Sequence, residues 1–255
     1  VVSQIHRSPG VIFQRDKGVL SSRIIPYRGS WLEFEIDQKK ELIYAKIDRK
    51  KKILGTIFLR ALGYSTREEI INCFYVTEDV KIPSDLEKRD ELAGRVLGKP
   101  VIIKDEETGE EKKLFRAGDK LHPHDIDDLV ANGIKEINVI KFNMKKRPDD
   151  KEEKNPSLDS EMIVNCFERE EIVFSKEGSS TADEPTKEEC LSKVYAVLMP
   201  GEPITVEAAE RDLTTMFFSV RRYDLGRVGR YKLNKKFDYK EPVEDVTLTK
   251  EDIIN

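Results

Sequence analysis

The stretch "IIPYRGSWLEFEID", Ile24–Asp37, decides how the first part of this chain folds, and it holds the chain's only tryptophan. After the turn signal Gly29–Ser30, apolar and charged residues alternate with a period of two, which predicts a β-strand. The apolar face of this strand carries Leu32, Phe34 and Ile36. The opposite face carries Trp31, Glu33 and Glu35. The pattern therefore predicts that the tryptophan ring is turned outward on the charged face, beside Arg28.

The sequence around this strand predicts an antiparallel sheet followed by helices. "VVSQIHRSPGVIF" has two short apolar runs separated by a turn signal at 8–10, and "ELIYAKIDRKKK" forms a hairpin with the tryptophan strand through a polar turn at 37–40. "ILGTIFLRALGY" and "STREEIINCFY" predict two helices, the first closed by Gly63 and the second capped by Ser65 or Thr66. Strands followed by helices indicate an α+β fold for this part.

Composition changes near Pro83, and the middle of the chain carries signals of its own. A hairpin that turns at Thr108–Gly109 precedes "HPHDIDDLVANGIKEINVI", which predicts a short helix ending at Asn132–Gly133 and then a strand. Polar stretches at 145–157 and 176–184 are typical of solvated linkers. These signals predict a smaller, separately folded domain of mixed α and β structure, inserted into the chain.

The last part of the chain is mainly helical. "EPTKEECLSKVYAVLMPGEP" has a capping box formed by Thr186 and Glu189 and a stop signal at Pro200–Gly201. "ITVEAAERDLTTMFFS" predicts a second helix, capped by Thr205, and "RRYDLGRVGRYKLNKKF" a basic loop with a short helix. We expect the first and last parts to close on each other around the insert. The predicted domains are thus 1–82 with 184–255, and 83–183.

Composition narrows the class of protein. Of the 255 residues, 38% are hydrophobic and 37% are charged, against a usual charged share of about 25%. The net charge of −4 excludes a global basic field, so any nucleic-acid contact depends on local clusters. There is no run of about 18 apolar residues, which predicts no membrane span. Three cysteines without disulfide or metal-ligand spacing indicate a cytoplasmic protein.

The sequence shows no catalytic constellation. "GRVLGKP", at 94–100, lacks the spacing and the hydroxyl residue of a phosphate-binding P-loop. His122 and His124 have no third metal ligand nearby, and His6 has no nucleophile arranged around it. We therefore expect no catalytic residue, metal or cofactor in this chain, and a free-standing enzyme is disfavoured.

Arginine residues beside aromatic residues and turns are the strongest local signal. Arg7 precedes the Ser8–Pro9–Gly10 turn, Arg28 is near Trp31, and "DRKKK" begins at Asp48. The segment "RRYDLGRVGR" adds Arg221, Arg222, Arg227 and Arg230. Clustered guanidinium groups follow phosphates, and an exposed aromatic ring can stack on an unpaired base. Spacing alone leaves two interpretations open, a nucleic-acid surface and an ordinary solvated face.

Several long stretches, in the same order, resemble the β subunit of bacterial RNA polymerase. They are "VVSQIHRSPGVIF", "RIIPYRGSWLEFEID", "KIDRKKK" with "TIFLRALGY", "MPGEP…EAAE…FFS" and "RYDLGRVGRYKLN". They resemble the lobe of the β pincer, which implies a mixed domain of antiparallel strands and helices. The middle stretch lies where many bacteria carry a lineage-specific insertion in the lobe. The chain is thus expected to be an excerpt of a larger subunit.

The resemblance implies a role facing DNA. The lobe of this family forms one wall of the downstream DNA cleft and meets the non-template strand of the transcription bubble. At the matching positions, Trp31 would stack on an unpaired non-template base and Arg7 would lie near the base-reading pocket. The other matching positions are Asp48, Arg49 and Arg222 for the strand, and Val2 for the edge of the rifamycin pocket. Met199 departs from the family, which often has arginine there.

The resemblance also implies an assembly. In the family the catalytic magnesium is held by the β′ subunit, so the parent complex is a nucleotidyltransferase while this fragment is not catalytic. The implied partners are DNA, the rest of β, and the β′, α, ω and sigma subunits, in the cytoplasm and on the nucleoid. An alternative hypothesis makes the chain chiefly a protein-interaction module that docks transcription regulators through the insert.

Overall fold

The computed structural model describes residues 7–83, 89–104, 111–142, 144–146, 152–154, 160–175, 184–203 and 205–254. The chain divides into two compact units. Unit 1 comprises Val1–Tyr64 and Glu168–Asn255, and unit 2 comprises Ser65–Phe167. Helices are combined with antiparallel strands, which confirms the predicted α+β class. The predicted domain boundaries at 82/83 and 183/184 differ from the limits of these units and stay a prediction.

The secondary-structure elements are numbered in chain order. The strands are β1 Gly10–Asp16, β2 Val19–Ile25, β3 Leu32–Asp37, β4 Leu42–Ile47, β5 Ile53–Leu54, β6 Val76–Lys81, β7 Val101–Lys104, β8 Glu111–Phe115, β9 Glu136–Lys141, β10 Met144–Lys146 and β11 Glu152–Lys154. The helices are α1 Gly55–Ala61, α2 Arg67–Phe74, α3 Pro123–Ala131, α4 Met162–Ser175, α5 Lys187–Leu198, α6 Val206–Phe218, α7 Gly226–Phe237 and α8 Lys250–Ile254.

Unit 1 is built on a five-stranded antiparallel sheet in the order β1-β2-β3-β4-β5. The predicted hairpin is confirmed, since β3 pairs with β4 from Leu32↔Ile47 to Asp37↔Leu42. Leu32 is completely buried, and the Phe34 ring contacts Phe58 of α1 with ring centroids 6.0 Å apart. The apolar face of the tryptophan strand therefore packs on the core, as its alternation predicts.

A row of aromatic rings continues this core. The Phe58 ring meets Phe217 of α6 edge to face at 6.4 Å, and Phe217 meets Tyr223 at 6.1 Å. Edge-to-face pairs add about 0.5–1.5 kcal/mol beyond the burial of their area. This row connects the sheet to the loop after α6, which carries Arg221 and Arg222.

Local signals place most helix ends correctly. Capping boxes start α2 at Thr66 with Glu69 and α5 at Thr186 with Glu189. The second box was predicted, and for α2 the prediction was a cap by Ser65 or Thr66. Gly63, with φ of 106°, comes directly after Leu62, the C-cap residue of α1. Thr205 precedes α6 as predicted, but its side chain makes no capping hydrogen bond, so that part of the prediction is wrong. Helix α4 was not predicted.

Unit 2 has its own apolar core. Strands β6 and β9 pair, β7 and β8 form the predicted hairpin, and α3 precedes β9 as the sequence indicates. The predicted turn at Thr108–Gly109 lies outside the described residues. The core contains Leu92, Leu97, Val101, Leu121, Ile126, Leu129, Ile137 and Val139.

The predicted linker at 145–157 is partly wrong. Strands β10 and β11 pair within it, from Met144↔Lys154 to Lys146↔Glu152. Backbone groups form this ladder, so a polar sequence does not prevent it. Among the helices that the structure describes, none is long and apolar enough to cross a bilayer.

Candidate nucleic-acid interface

Trp31 and the turn between β4 and β5 form one local structure. The Trp31 N–H donates to Asp48 Oδ1 at 2.8 Å, and the Asp48 N–H donates to the Trp31 carbonyl at 3.0 Å. Asp48 and Arg49 both have positive φ, 48° and 59°, and the Lys50 N–H closes the turn on the Ile47 carbonyl at 2.9 Å. Left-handed backbone costs about 1–2 kcal/mol per non-glycine residue, so the bonds to Trp31 help to hold this turn.

The turn places a positive charge over the tryptophan. The Arg49 guanidinium carbon lies 5.2 Å from the centroid of the Trp31 ring, which is a cation–π distance. The ring is half-buried, whereas Asp48 and Arg49 are exposed. A depression of about 250 Å³ is lined by Gly29, Trp31, Asp48 and Arg49. The site therefore offers an aromatic ring with a guanidinium group placed over it.

The charged face of the tryptophan strand is less exposed than its alternation suggests. Glu33 and Glu35 are only 8% and 9% exposed, because cations cover them. Arg23 binds Glu33 through two hydrogen bonds, of 2.6 and 3.1 Å, and Lys46 and Lys52 bind Glu35. The alternation identified this face correctly, but the two carboxylates on it are buried beneath neighbouring side chains.

This face forms a second depression, of about 510 Å³, that shares Arg49 with the first. Its lining includes the cations Lys17, Arg23, Lys46, Arg49 and Lys52 and the anions Asp16, Glu33 and Glu35. Burial by itself raises the pKa of Glu35, but hydrogen bonds from Lys46 and Lys52 outweigh it and hold that pKa below its ordinary value. The excess of cations makes the face mildly attractive to phosphates.

A second loop joins the tryptophan loop across a long stretch of sequence. The Arg28 N–H donates to the Asp224 carbonyl at 3.0 Å, and the Asp224 N–H donates back to the Arg28 carbonyl at 2.7 Å. At Gly29, with φ of 128°, an added Cβ would lie 3.0 Å from the Arg222 carbonyl oxygen and 2.9 Å from the Tyr223 ring. Only glycine allows this approach, which brings the 221–224 loop against the tryptophan loop.

The predicted arginines of this region differ in their surroundings. Arg221 and Arg222 are exposed in the joined loop. The Arg28 guanidinium donates to the Val220 carbonyl at 2.9 Å, which ties it to the same loop. Arg227 is exposed and paired with Glu244 at 3.1 Å. The structure therefore packs the loop of Arg221 and Arg222 against the loop that carries Arg28 and leads to Trp31, with Arg227 already partnered.

Arg230 is a correction to the predicted site. It is 0% exposed, and its Nη1 donates to Asp252 Oδ1 at 2.8 Å. Its Nε donates to the Asp245 carbonyl at 2.7 Å, and its Nη2 donates to the Thr247 carbonyl. A guanidinium with these buried partners cannot contact a DNA strand. Arg230 instead holds the C-terminal residues on α7.

The histidines of the middle part lie at the start of α3. The rings of His122 and His124 stack with centroids 5.6 Å apart, and His124 Nε2 lies 3.2 Å from the Asp125 carboxylate. Among the described residues, no group of three or more histidine, cysteine or acidic side chains is placed to hold a metal ion.

Comparison with known proteins identifies the family. The sequence model of the family described as "RNA polymerase Rpb2, domain 2" matches residues 3–105 and 163–255. The chain belongs to this family. The long stretch that the match leaves out, 106–162, lies in unit 2.

Curated relatives carry the name DNA-directed RNA polymerase subunit beta. The Treponema denticola protein is 60% identical over 253 residues, which are 99% of this chain. Those of Treponema pallidum and Borreliella burgdorferi are 55% and 51% identical over the whole chain. The chain covers 21% of each relative, so it spans about a fifth of their length.

The structure describes only some of the other residues that the family resemblance singled out. Val2 lies outside the described residues. Arg7 is exposed, and its neighbours anchor to α7, where Lys232 contacts Ser8 and Gly229 packs against Pro9. Met199 is exposed directly after α5.

Sequence reasoning missed Tyr27. This ring is 76% exposed and lies against Gly226, where an added Cβ would be 3.4 Å from the Tyr27 Cβ. It belongs to the same loop as Arg28 and adds a second aromatic side chain to the region around Trp31. The signal was available in the sequence, since an aromatic residue inside the turn "PYRG" has little chance of burial.

Proposed function

We propose that this chain is the lobe of a bacterial RNA polymerase β subunit, where it forms one wall of the downstream DNA cleft and contacts the non-template strand. The observation that carries the proposal is the half-buried Trp31 ring beneath Arg49, at the edge of an open depression. The exposed arginines of the 221–224 loop lie against the same loop as this ring. Membership of the Rpb2 family supports the assignment.

The chemistry of the site suits an unpaired strand. An aromatic face stacks on any base and contributes about 1–3 kcal/mol per base, while guanidinium groups bind the flanking phosphates. Arg49, Arg222 and Arg28 are the phosphate-binding groups of this proposal. The Asp48 carboxylate is engaged by the Trp31 N–H, so its role is to position the ring rather than to touch the strand.

The parent assembly supplies the activity. We propose that the complete subunit works in DNA-directed RNA polymerase, a nucleotidyltransferase whose catalytic magnesium is held by β′, on nucleoid DNA in the cytoplasm. Its partners are then the rest of β and the β′, α, ω and sigma subunits. This chain contributes binding and positioning of DNA, and no catalytic group.

Base stacking is tested directly with 2-aminopurine placed at successive non-template positions in open complexes of the reconstituted polymerase. We expect one position near the downstream edge of the bubble to be quenched, and Trp31→Ala to restore its fluorescence. Arg227→Ala is the matched control, because Glu244 already neutralises that arginine. If Trp31→Ala changes the fluorescence at no position, the stacking role is wrong.

The phosphate contacts have a separate test. Arg222→Ala should shorten the lifetime of open complexes and reduce the dependence of that lifetime on salt. The reason is that DNA binding with one phosphate contact fewer releases fewer counterions. Arg227→Ala should leave both quantities unchanged. Equal effects of the two variants would show that the 221–224 loop does not touch the strand.

A further inference from the structure

Unit 1 contains a third concave surface, which shares Lys52 with the depression of about 510 Å³ and no residue with the depression at Trp31. It measures about 650 Å³ and lies between the end of the sheet, the last turns of α4 and one side of α5. We call it the α4–α5 groove. Its floor is aliphatic and is made by Ile53, Leu54, Ile57, Val173 and Val197, and the exposed Ala196 lies at its mouth. A volume of this size is in the range of sites that enclose a ligand or several side chains.

Basic side chains stand on both walls of the groove. On the helical wall, the Lys193 ammonium lies 4.8 Å from the centroid of the Phe174 ring. On the sheet wall, the Lys52 ammonium lies 5.5 Å from the Tyr44 ring. Arg169 of α4 adds a third cation, and it is exposed.

The acidic lining is weaker than the basic lining. Glu189 is an anion among the lining residues, and its carboxylate accepts the Thr186 N–H at 2.9 Å as part of the capping box of α5. Lys52 is bridged to Glu35, a carboxylate that Lys46 also binds. The groove therefore combines an apolar floor with a rim of net positive charge.

We propose that the α4–α5 groove binds an acidic, amphipathic segment of a protein partner. Apolar side chains of that segment fill the floor, and its carboxylates meet Arg169, Lys193 and Lys52 at the rim. Nucleic acid fits less well, because the floor of the groove is aliphatic and offers no aromatic face to a base. Charge complementarity of this kind sets specificity and the rate of association.

A selection experiment tests the groove in the complete polymerase. The probe is a displayed library of random 12-residue peptides. It is selected on the wild-type polymerase and on two variants, Ala196→Trp, which fills the mouth of the groove, and Arg169→Glu. Arg227→Glu is the control, since it reverses an exposed arginine of unit 1 outside the groove. We expect peptides rich in acidic and apolar residues that lose about ten-fold in affinity with Ala196→Trp or Arg169→Glu and nothing with Arg227→Glu.

Other results overturn the proposal. The proposal is wrong if the selected peptides bind equally well to both groove variants, or if they show no acidic bias. It is also wrong if no peptide is enriched, as when the rest of the subunit covers the groove. Competition by a labelled single-stranded oligonucleotide that Ala196→Trp abolishes would assign the groove to nucleic acid instead. Arg169 is exposed, so Arg169→Glu keeps the test valid even where Ala196→Trp disturbs packing.

Discussion

In the interior of unit 1, Arg60 and Arg230 are completely buried, whereas Arg49 and Arg222 near Trp31 are exposed. Arg60 Nε donates to Glu170 Oε1 at 3.0 Å, and its Nη2 lies 3.2 Å from Glu184 Oε2. Arg230 has a comparable set of partners. The buried guanidinium groups join segments that are distant in sequence, and the exposed ones stay available to a ligand.

This difference shows that residue type and local spacing do not determine the role of a basic residue. Arg222 and Arg230 occur in one short segment, "RRYDLGRVGR", whose spacing does not distinguish them, although the family resemblance singled out Arg222. Helix α7 begins between them and turns Arg230 toward the Asp252 carboxylate. The comparison therefore predicts large losses of stability for changes at the buried arginines and small losses for changes at the exposed ones.

The largest expected effect is at Arg230. Arg230→Ala should lower the free energy of unfolding by about 3–5 kcal/mol, because it leaves the buried Asp252 carboxylate without its cation. Urea unfolding followed by Trp31 fluorescence measures this, since the only tryptophan lies in unit 1. Arg227→Ala, one turn away and paired at the surface, should cost less than about 1 kcal/mol. Similar losses of stability for the two variants would contradict the difference between buried and exposed arginines.

The next effect concerns neighbours at the start of β3. Leu32→Ala should cost about 2–5 kcal/mol, because Leu32 is completely buried. Trp31→Ala should cost well under half of the roughly 3–5 kcal/mol typical of a core aromatic. Thermal unfolding followed by circular dichroism compares them without relying on tryptophan. A Trp31→Ala loss as large as that of Leu32→Ala would place the ring in the core and contradict its assignment as a binding surface.

Gly29 tests the joining of the two loops. Gly29→Ala should destabilise by about 1–3 kcal/mol more than Gly18→Ala, because overpacking adds to the strain of positive φ. Both glycines have positive φ, of 128° and 85°, but an added Cβ at Gly18 would meet nothing within 4 Å. Chemical denaturation of both variants separates backbone strain from crowding. Equal losses would mean that the 221–224 loop yields easily and does not depend on Gly29.

Substitution of Asp48 should have a smaller effect on stability and should change the position of the Trp31 ring. Asp48→Ala removes the acceptor of the Trp31 N–H and should cost about 0.5–1.5 kcal/mol for the lost hydrogen bond. Asp48→Asn keeps an acceptor and tolerates the left-handed conformation, so it should cost less. Acrylamide quenching of Trp31 follows the position of the ring, and only Asp48→Ala should change it. A change with Asp48→Asn as well would mean that charge, not the hydrogen bond, positions the ring.

The smallest expected effect is a pH dependence at Glu35. In the folded state the pKa of Glu35 is below its ordinary value of 4.5. The stability that the charged Glu35 side chain contributes is therefore complete above pH 4.5, and it is lost as the pH falls through the folded pKa. Wild type should therefore be more stable than Glu35→Gln at pH 7 by less than about 1 kcal/mol, and this advantage should shrink below pH 4.5. Urea unfolding at pH 7 and pH 3.5 checks the sign. An advantage that grows on acidification would contradict it.

The sequence by itself determined the features that depend on neighbouring residues. The alternation in "WLEFEID" predicted β3 and its core face. A cap at Ser65 or Thr66 and the capping box at Thr186 predicted where two helices begin. These features depend on contacts within a few residues, so their signals are complete in a short stretch. Helix α4 was missed because its recognisable neighbours are polar stretches without start or stop signals.

Only the tertiary structure decided which charged side chains are buried. Glu33 and Glu35 looked like solvated charges, yet cations from β2, β4 and the following turn cover them. The Arg28–Asp224 bridge joins opposite ends of the sequence, and no local pattern indicates that pairing. Burial and partner choice are set by the packing of distant segments, in which charges that lose water are tolerated only where a partner is in place. For that reason, residues as alike as Arg222 and Arg230 separate into a binding surface and an internal support.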